Sequence, residues 1–86
     1  MSRLVEPSDY AAFLRRSLRA MARRVAAADP EALAMLCSLR ADLEVAENVA
    51  MVGLHAEGYS YTEMARPLGI TRQAARQRVE RARRAT

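Results

Sequence analysis

A chain of 86 residues holds one domain, or one domain with an arm. So short a chain buries only a little over about 60% of its unfolded surface, which makes a partner subunit a useful source of stability. Its net charge is +4, its fourteen basic residues are all arginine, and its single Cys37 and single His55 exclude an internal disulfide and a zinc site built by one chain.

The modest net charge hides strong segregation. Residues 1–28 carry six arginines against Glu6 and Asp9, residues 29–63 carry Arg40 against seven acids, and residues 64–86 carry seven arginines against Glu80. A basic C-terminus is the electrostatic footprint of phosphate contact, although a charge block taken alone is more often a solvated face. The presence of 18 alanines and no lysine fits a GC-rich coding sequence, so part of the arginine count reflects codon usage. The opening Met1-Ser2-Arg3-Leu4-Val5-Glu6-Pro7 has no apolar core of a signal peptide. No run reaches membrane-span length either. The expectation is a soluble, cytoplasmic protein associated with the nucleoid, with no membrane partner.

An all-α fold is expected, with two long N-terminal helices followed by a C-terminal helix-turn-helix. The first helix runs from about 9 to 28, with Ser8 as N-cap and Pro7 outside. Tyr10, Phe13, Leu14, Leu18, Met21 and Val25 fall on one stripe, and Arg15, Arg16, Arg19 and Arg23 fall opposite. That basic face reads either as a second DNA contact or as a partner for Asp42, Glu44 and Glu47.

Asp29-Pro30-Glu31 then restarts the chain, with Asp at the cap and Pro at the first helical position. The second helix spans about 30 to 57, with Gly58 closing it. Leu36, Leu39, Leu43, Ala46, Ala50 and Gly53 alternate in steps of three and four, the a/d pattern of a helical pairing seam. Leu36, Leu39, Leu43, Ala46 and Ala50 are therefore the candidate homodimer contacts, unless the first helix covers the same stripe within one chain. With Val45, Val49, Met51, Val52 and Leu54 added, the second half is apolar on nearly all sides and is expected to be buried all round. Cys37 reads as a small hydrophobe beside the stripe.

The third helix, about 61 to 67, opens on a capping box of Ser60 and Glu63. Met64, Ala65 and Leu68 face inward, and Pro67 shortens or bends the end. Gly69 supplies a left-handed turn and Ile70 plugs the gap between helices. The fourth helix, about 71 to 84, has Thr71 as N-cap, with Ala75, Val79 and Ala82 as its inner stripe. Arg72, Gln73, Arg76, Gln77 and Glu80 point outward. The chain thus divides into a helical dimerisation and support region, 1–57, and a helix-turn-helix region, 58–86.

Gly58, Ser60, Tyr61, Glu63, Met64, Ala65, Leu68, Gly69, Ile70, Thr71, Arg78 and Arg81-Ala82-Arg83 follow a known pattern. Residues 58–84 resemble the helix-turn-helix of bacterial sigma factor region 4, which runs Gly-x-Ser-Tyr-x-Glu-Ile-Ala-x-x-Leu-Gly-Ile-Ser and ends in Arg-Ala-Arg. The resemblance covers about a third of the chain. It implies a second helix in the major groove of DNA, with Thr71, Arg72, Gln73, Arg76 and Gln77 facing bases or nearby phosphates. Ala74-Ala75 stands where the family has Thr-Val, Pro67 is unusual, and nothing resembles the parts of a sigma factor that melt promoters or bind core polymerase. A stand-alone regulator with the same reading head is the expectation.

Arginine pairs with guanine and glutamine with adenine in the major groove, which makes Arg72 and Gln73 candidate base readers. Arg66, Arg78, Arg81, Arg83 and Arg84 are candidate phosphate contacts, and Tyr61 is a candidate backbone contact. Two rival readings remain: an adaptor docking on RNA polymerase or a recombinase, and a protein that coats DNA without sequence preference. His55 has no partner at catalytic spacing, so no enzyme, cofactor or metal is expected.

Overall fold

The computed structural model describes residues 6–85, which are helical apart from caps and turns and contain no strand. Helix α1 spans Pro7–Ala28, α2 Leu33–Ala56, α3 Tyr61–Leu68 and α4 Arg72–Arg84. No helix among the described residues is long and apolar enough to cross a membrane.

Helix α1 starts two residues earlier than the sequence suggests. Pro7 is its first residue and Glu6 its cap, so Ser8 lies inside the helix. The reason is local: Pro at the first helical position has a preset φ and gives up only an N–H that would have had no helical acceptor. At the other end the Asp29 N–H donates to Val25 O at 3.0 Å. The Asp29 carboxylate then accepts from the Ala32 N–H at 3.2 Å, so Asp29 caps the next element as expected. That element is first a turn of 3-10 helix, Pro30–Ala32, which widens into α2 at Leu33.

Two glycines end helices in the same way. After α2, the Tyr59 N–H reaches back to Leu54 O and the Gly58 N–H to His55 O, both at 3.1 Å. After α3, the Ile70 N–H reaches Ala65 O at 3.1 Å and the Gly69 N–H reaches Arg66 O at 3.2 Å. Both are Schellman closures, which need a positive φ at the residue past the helix. Gly58 has φ 102° and Gly69 φ 68°. Ser60 and Glu63 form the full capping box, at 3.1 Å from the Glu63 N–H and 2.8 Å from the Ser60 N–H. Pro67 lies within α3 but one residue from its end, so the hydrogen bond it removes falls in the final turn.

The chain separates into two compact units, with the division between Cys37 and Ser38, inside α2. The C-terminal part of α2 therefore groups with α3 and α4 rather than with α1. The second unit holds the core: Met51 of α2, Met64 and Ala65 of α3, and Ala75 and Val79 of α4, edged by Val52, Tyr61, Leu68 and Ile70. Ala65 and Ala75 let α3 and α4 approach closely, and fully buried Val79 locks them at a gain of about 1.5–3 kcal/mol.

Among the described residues, the first unit has none that is buried. Tyr10, Phe13 and Leu14 remain more than half exposed. The expectation that the second half of α2 is buried all round is overturned. Met51 alone is buried, while Val45 is 59% exposed and Val49 68%. The α3–α4 pair is too small to cover more than one side of α2. Cys37 is likewise exposed rather than packed beside a core.

Candidate nucleic-acid interface

Local chemistry sets the position of α4. The left-handed Gly69 turns the chain, Ile70 enters the gap, and the Thr71 hydroxyl accepts from the Ala74 N–H at 3.0 Å to start the helix. With Ala75 and Val79 against the core, the rest of α4 faces outward. Thr71, Arg72, Gln73, Arg76, Gln77, Arg81, Arg83 and Arg84 are all exposed. No large apolar side chain of α4 is exposed, in contrast to α1 and α2.

The arginines of this surface are not equivalent. Among the described residues, Arg72, Arg81 and Arg84 on α4 and Arg66 on α3 are exposed and make no ion pair, although the Arg66 charge acts on Glu63. Arg76 is engaged by Glu80 one turn on, Nε to Oε2 at 3.0 Å. That hydrogen bond and the Glu80 charge raise the Arg76 pKa above its ordinary value. Both side chains are about half exposed, so an incoming phosphate can compete for Arg76. Arg83 places its guanidinium 2.9 Å from His55 Nδ1 at the end of α2.

Arg78 is committed elsewhere. Its Nε and Nη2 donate to Asn48 Oδ1 at 3.1 and 2.8 Å, and Nη2 also reaches Glu47 Oε1 at 3.1 Å. The side chain is only 20% exposed. Expected as a phosphate contact, it instead clamps α4 to α2. Glu47 and Asn48 sit four and three residues before Met51, on the α2 face that meets the core, and that spacing was the available signal for the clamp. Tyr61 likewise serves packing. Half-buried against the core, its ring stacks on His55 with centroids 4.4 Å apart and planes 11° apart.

Glu63 carries the other perturbed charge. Donation from the Ser60 N–H, then from the Ser60 hydroxyl, holds its carboxyl below the usual range. The group is a cap and lies in the first turn of α3. No cluster of three or more His, Cys, Asp or Glu among the described residues could hold a metal ion.

Of the candidate pairing residues on α2, Leu36 is half-buried, whereas Leu39, Leu43, Ala46 and Ala50 are exposed. Ala50 lines an open apolar groove of about 590 Å³ between α2 and α3, with Met51, Leu54, Tyr59, Met64 and Leu68. Arg15, Arg16, Arg19 and Arg23 of α1 are exposed and have no ion-pair partner among the described residues. No family model, characterised protein or solved structure matches this chain.

Proposed function

We propose that this chain binds duplex DNA through a helix-turn-helix made by α3 and α4, with α4 entering the major groove, and that it acts as a dimeric regulator of transcription at the nucleoid. The observation that carries the reading is the outward face of α4. It combines free arginines and glutamines with no exposed leucine, phenylalanine or tyrosine, on a helix held rigidly by Gly69, Ala75, Val79 and the Arg78 clamp. A helix that docked on protein would show an apolar outer stripe instead.

The geometry supports a division of labour. Arg72 and Gln73, at the tip of α4, suit base edges, guanine for the arginine and adenine for the glutamine. Gln77 extends that row by one turn. Arg66, Arg81 and Arg84 are free to neutralise phosphates, and Arg76 joins them by exchanging Glu80 for a phosphate. Arg78 drops out of the contact set as a positioning residue. The likeness to sigma region 4 supports the same placement of α4, while α1 and α2 set the chain apart from a sigma factor.

The dimer reading rests on exposed apolar surface. Leu43 is 62% exposed and Val49 68%, more apolar exposure on one helix than a solitary small protein ordinarily carries. The same exposure favours a second reading, an adaptor that docks on polymerase or another DNA-acting protein through α1 and α2.

Selection from a random duplex library at near-physiological salt tests the proposal. An enriched motif is the expected result, and a palindrome would fit a symmetric dimer. Retention without a motif would reduce the function to coating. No retention would overturn DNA binding and leave the adaptor.

A further inference from the structure

We infer that the apolar stripe of α2 is covered by α1 of a second copy, whose own stripe runs on into the groove between α2 and α3. This rests on the dimer reading above and specifies its surfaces.

Each unit leaves its own apolar surface uncovered. On α1, Tyr10, Phe13, Leu14 and Leu18 are 45–58% exposed along one helical stripe. On the other side, Leu43, Leu54 and Tyr59 are 62%, 42% and 49% exposed, beside the groove floor formed by Met51 and Met64. Most helical stability in proteins comes from packing an amphipathic face, and this 22-residue helix buries no residue of its own.

Charge selects the cover. Helix α1 carries five arginines against Asp9, and Arg15, Arg16, Arg19 and Arg23 stand exposed with no ion-pair partner among the described residues. Asp42, Glu44 and Glu57, on and just beyond α2, are also exposed, with carboxylates that pair with no described residue. Two copies of α2 laid together would instead bring acid against acid, with only Arg40 to offset it. Opposite charge flanking two apolar stripes favours α1 over a second α2 as the partner. No residue of α4 lines the groove, so the occupant leaves Arg72, Gln73 and Gln77 free for DNA, while Arg66, which lines the groove, would border both the second copy and the DNA.

The test is a mixing experiment. In a Cys37→Ser background, chains carrying Phe13→Cys are mixed with chains carrying Leu54→Cys and mildly oxidised. A disulfide-linked species of twice the chain mass from the mixture, and from neither variant alone, is expected. Chains carrying Leu43→Cys that link to each other while the mixture gives nothing would show an α2–α2 dimer, overturning this pairing but not the dimer. A wild-type monomer by light scattering at high micromolar concentration would remove both. As a check free of cysteine, Leu14→Asp should raise the dimer dissociation constant by roughly tenfold or more, the factor set by one buried large apolar side chain. An unchanged constant would overturn the inference.

Discussion

Replacing Arg78 separates a phosphate contact from a structural clamp. Arg78→Ala deletes two hydrogen bonds to Asn48 and the ion pair to Glu47, across a separation of 30 and 31 residues. A hydrogen bond involving a charged group contributes about 1.5–3 kcal/mol net. The three contacts share one guanidinium, and Glu47 is 40% exposed, so water recovers much of the ion pair. The loss should be about 1–2 kcal/mol. A domain of this size shifts its Tm by about 4–8 °C per kcal/mol, which places the drop at roughly 4–16 °C. Thermal melts by circular dichroism at fixed chain concentration measure it. Arg78→Lys should recover only part, because a lysine cannot fork between two acceptors. A cycle with Asn48→Ala should give a coupling of about 1 kcal/mol. An unchanged Tm, with DNA affinity reduced equally on every sequence, would refute the clamp and return Arg78 to the phosphate contacts.

Gly58→Ala and Gly69→Ala should each cost about 1–2 kcal/mol in denaturant melts, since no atom crowds either position and the positive φ supplies the whole penalty. Gly53→Ala, equally uncrowded but within α2, should raise stability by up to about 1 kcal/mol, and a loss there would count against the helical account. Because the folded Glu63 carboxyl titrates below its ordinary range, its stabilising effect is complete above that range and disappears as pH falls through the folded value. The stability difference between wild type and Glu63→Ala should shrink to nothing in acid, and a pH-independent difference would refute the capping account. Arg72→Ala should flatten sequence preference more than it lowers affinity for random DNA, as competition binding on matched and scrambled duplexes would show. With Arg66, Arg76, Arg81 and Arg84 on phosphates, log affinity should fall by roughly 4 per tenfold rise in salt for one chain and roughly 7 for two.

The features legible in the sequence are those decided within a few residues. Ser60 with Glu63, Gly58, Gly69 and Thr71 each act on backbone atoms three to five positions away, so residue type at that spacing nearly determines the hydrogen bond. The inward stripe of Met64, Ala65, Ala75 and Val79 was legible for the same reason, being helical periodicity on short segments. Pro7 was misplaced because proline before a helix and proline at its first position look alike until the cap is seen. The Arg78 clamp spans 30 residues, so the pattern around Arg78 does not separate it from a solvent-facing arginine, and the spacing of Glu47 and Asn48 on α2 was the only signal. Burial of α2 failed on a different ground: periodicity shows which residues are apolar, and the size of the neighbouring elements decides what is covered.

That limit bears on how the chain works. Helix α2 meets the α3–α4 pair along one face, through Met51 in the core and through Glu47 and Asn48 at the clamp. Its other faces keep Leu43, Val45 and Val49 in the open. The same helix thus holds α4 and also carries the surface proposed to meet a second copy. With no flexible linker between those two roles, the dimer geometry would set the distance between two α4 helices directly. A symmetric pair reading one face of DNA needs that distance near one helical turn, about 34 Å. Selected sites should therefore have a single fixed spacing between half-sites. A spread of spacings at equal affinity would mean that α2 does not couple pairing to reading, even if each α4 reads its own half-site.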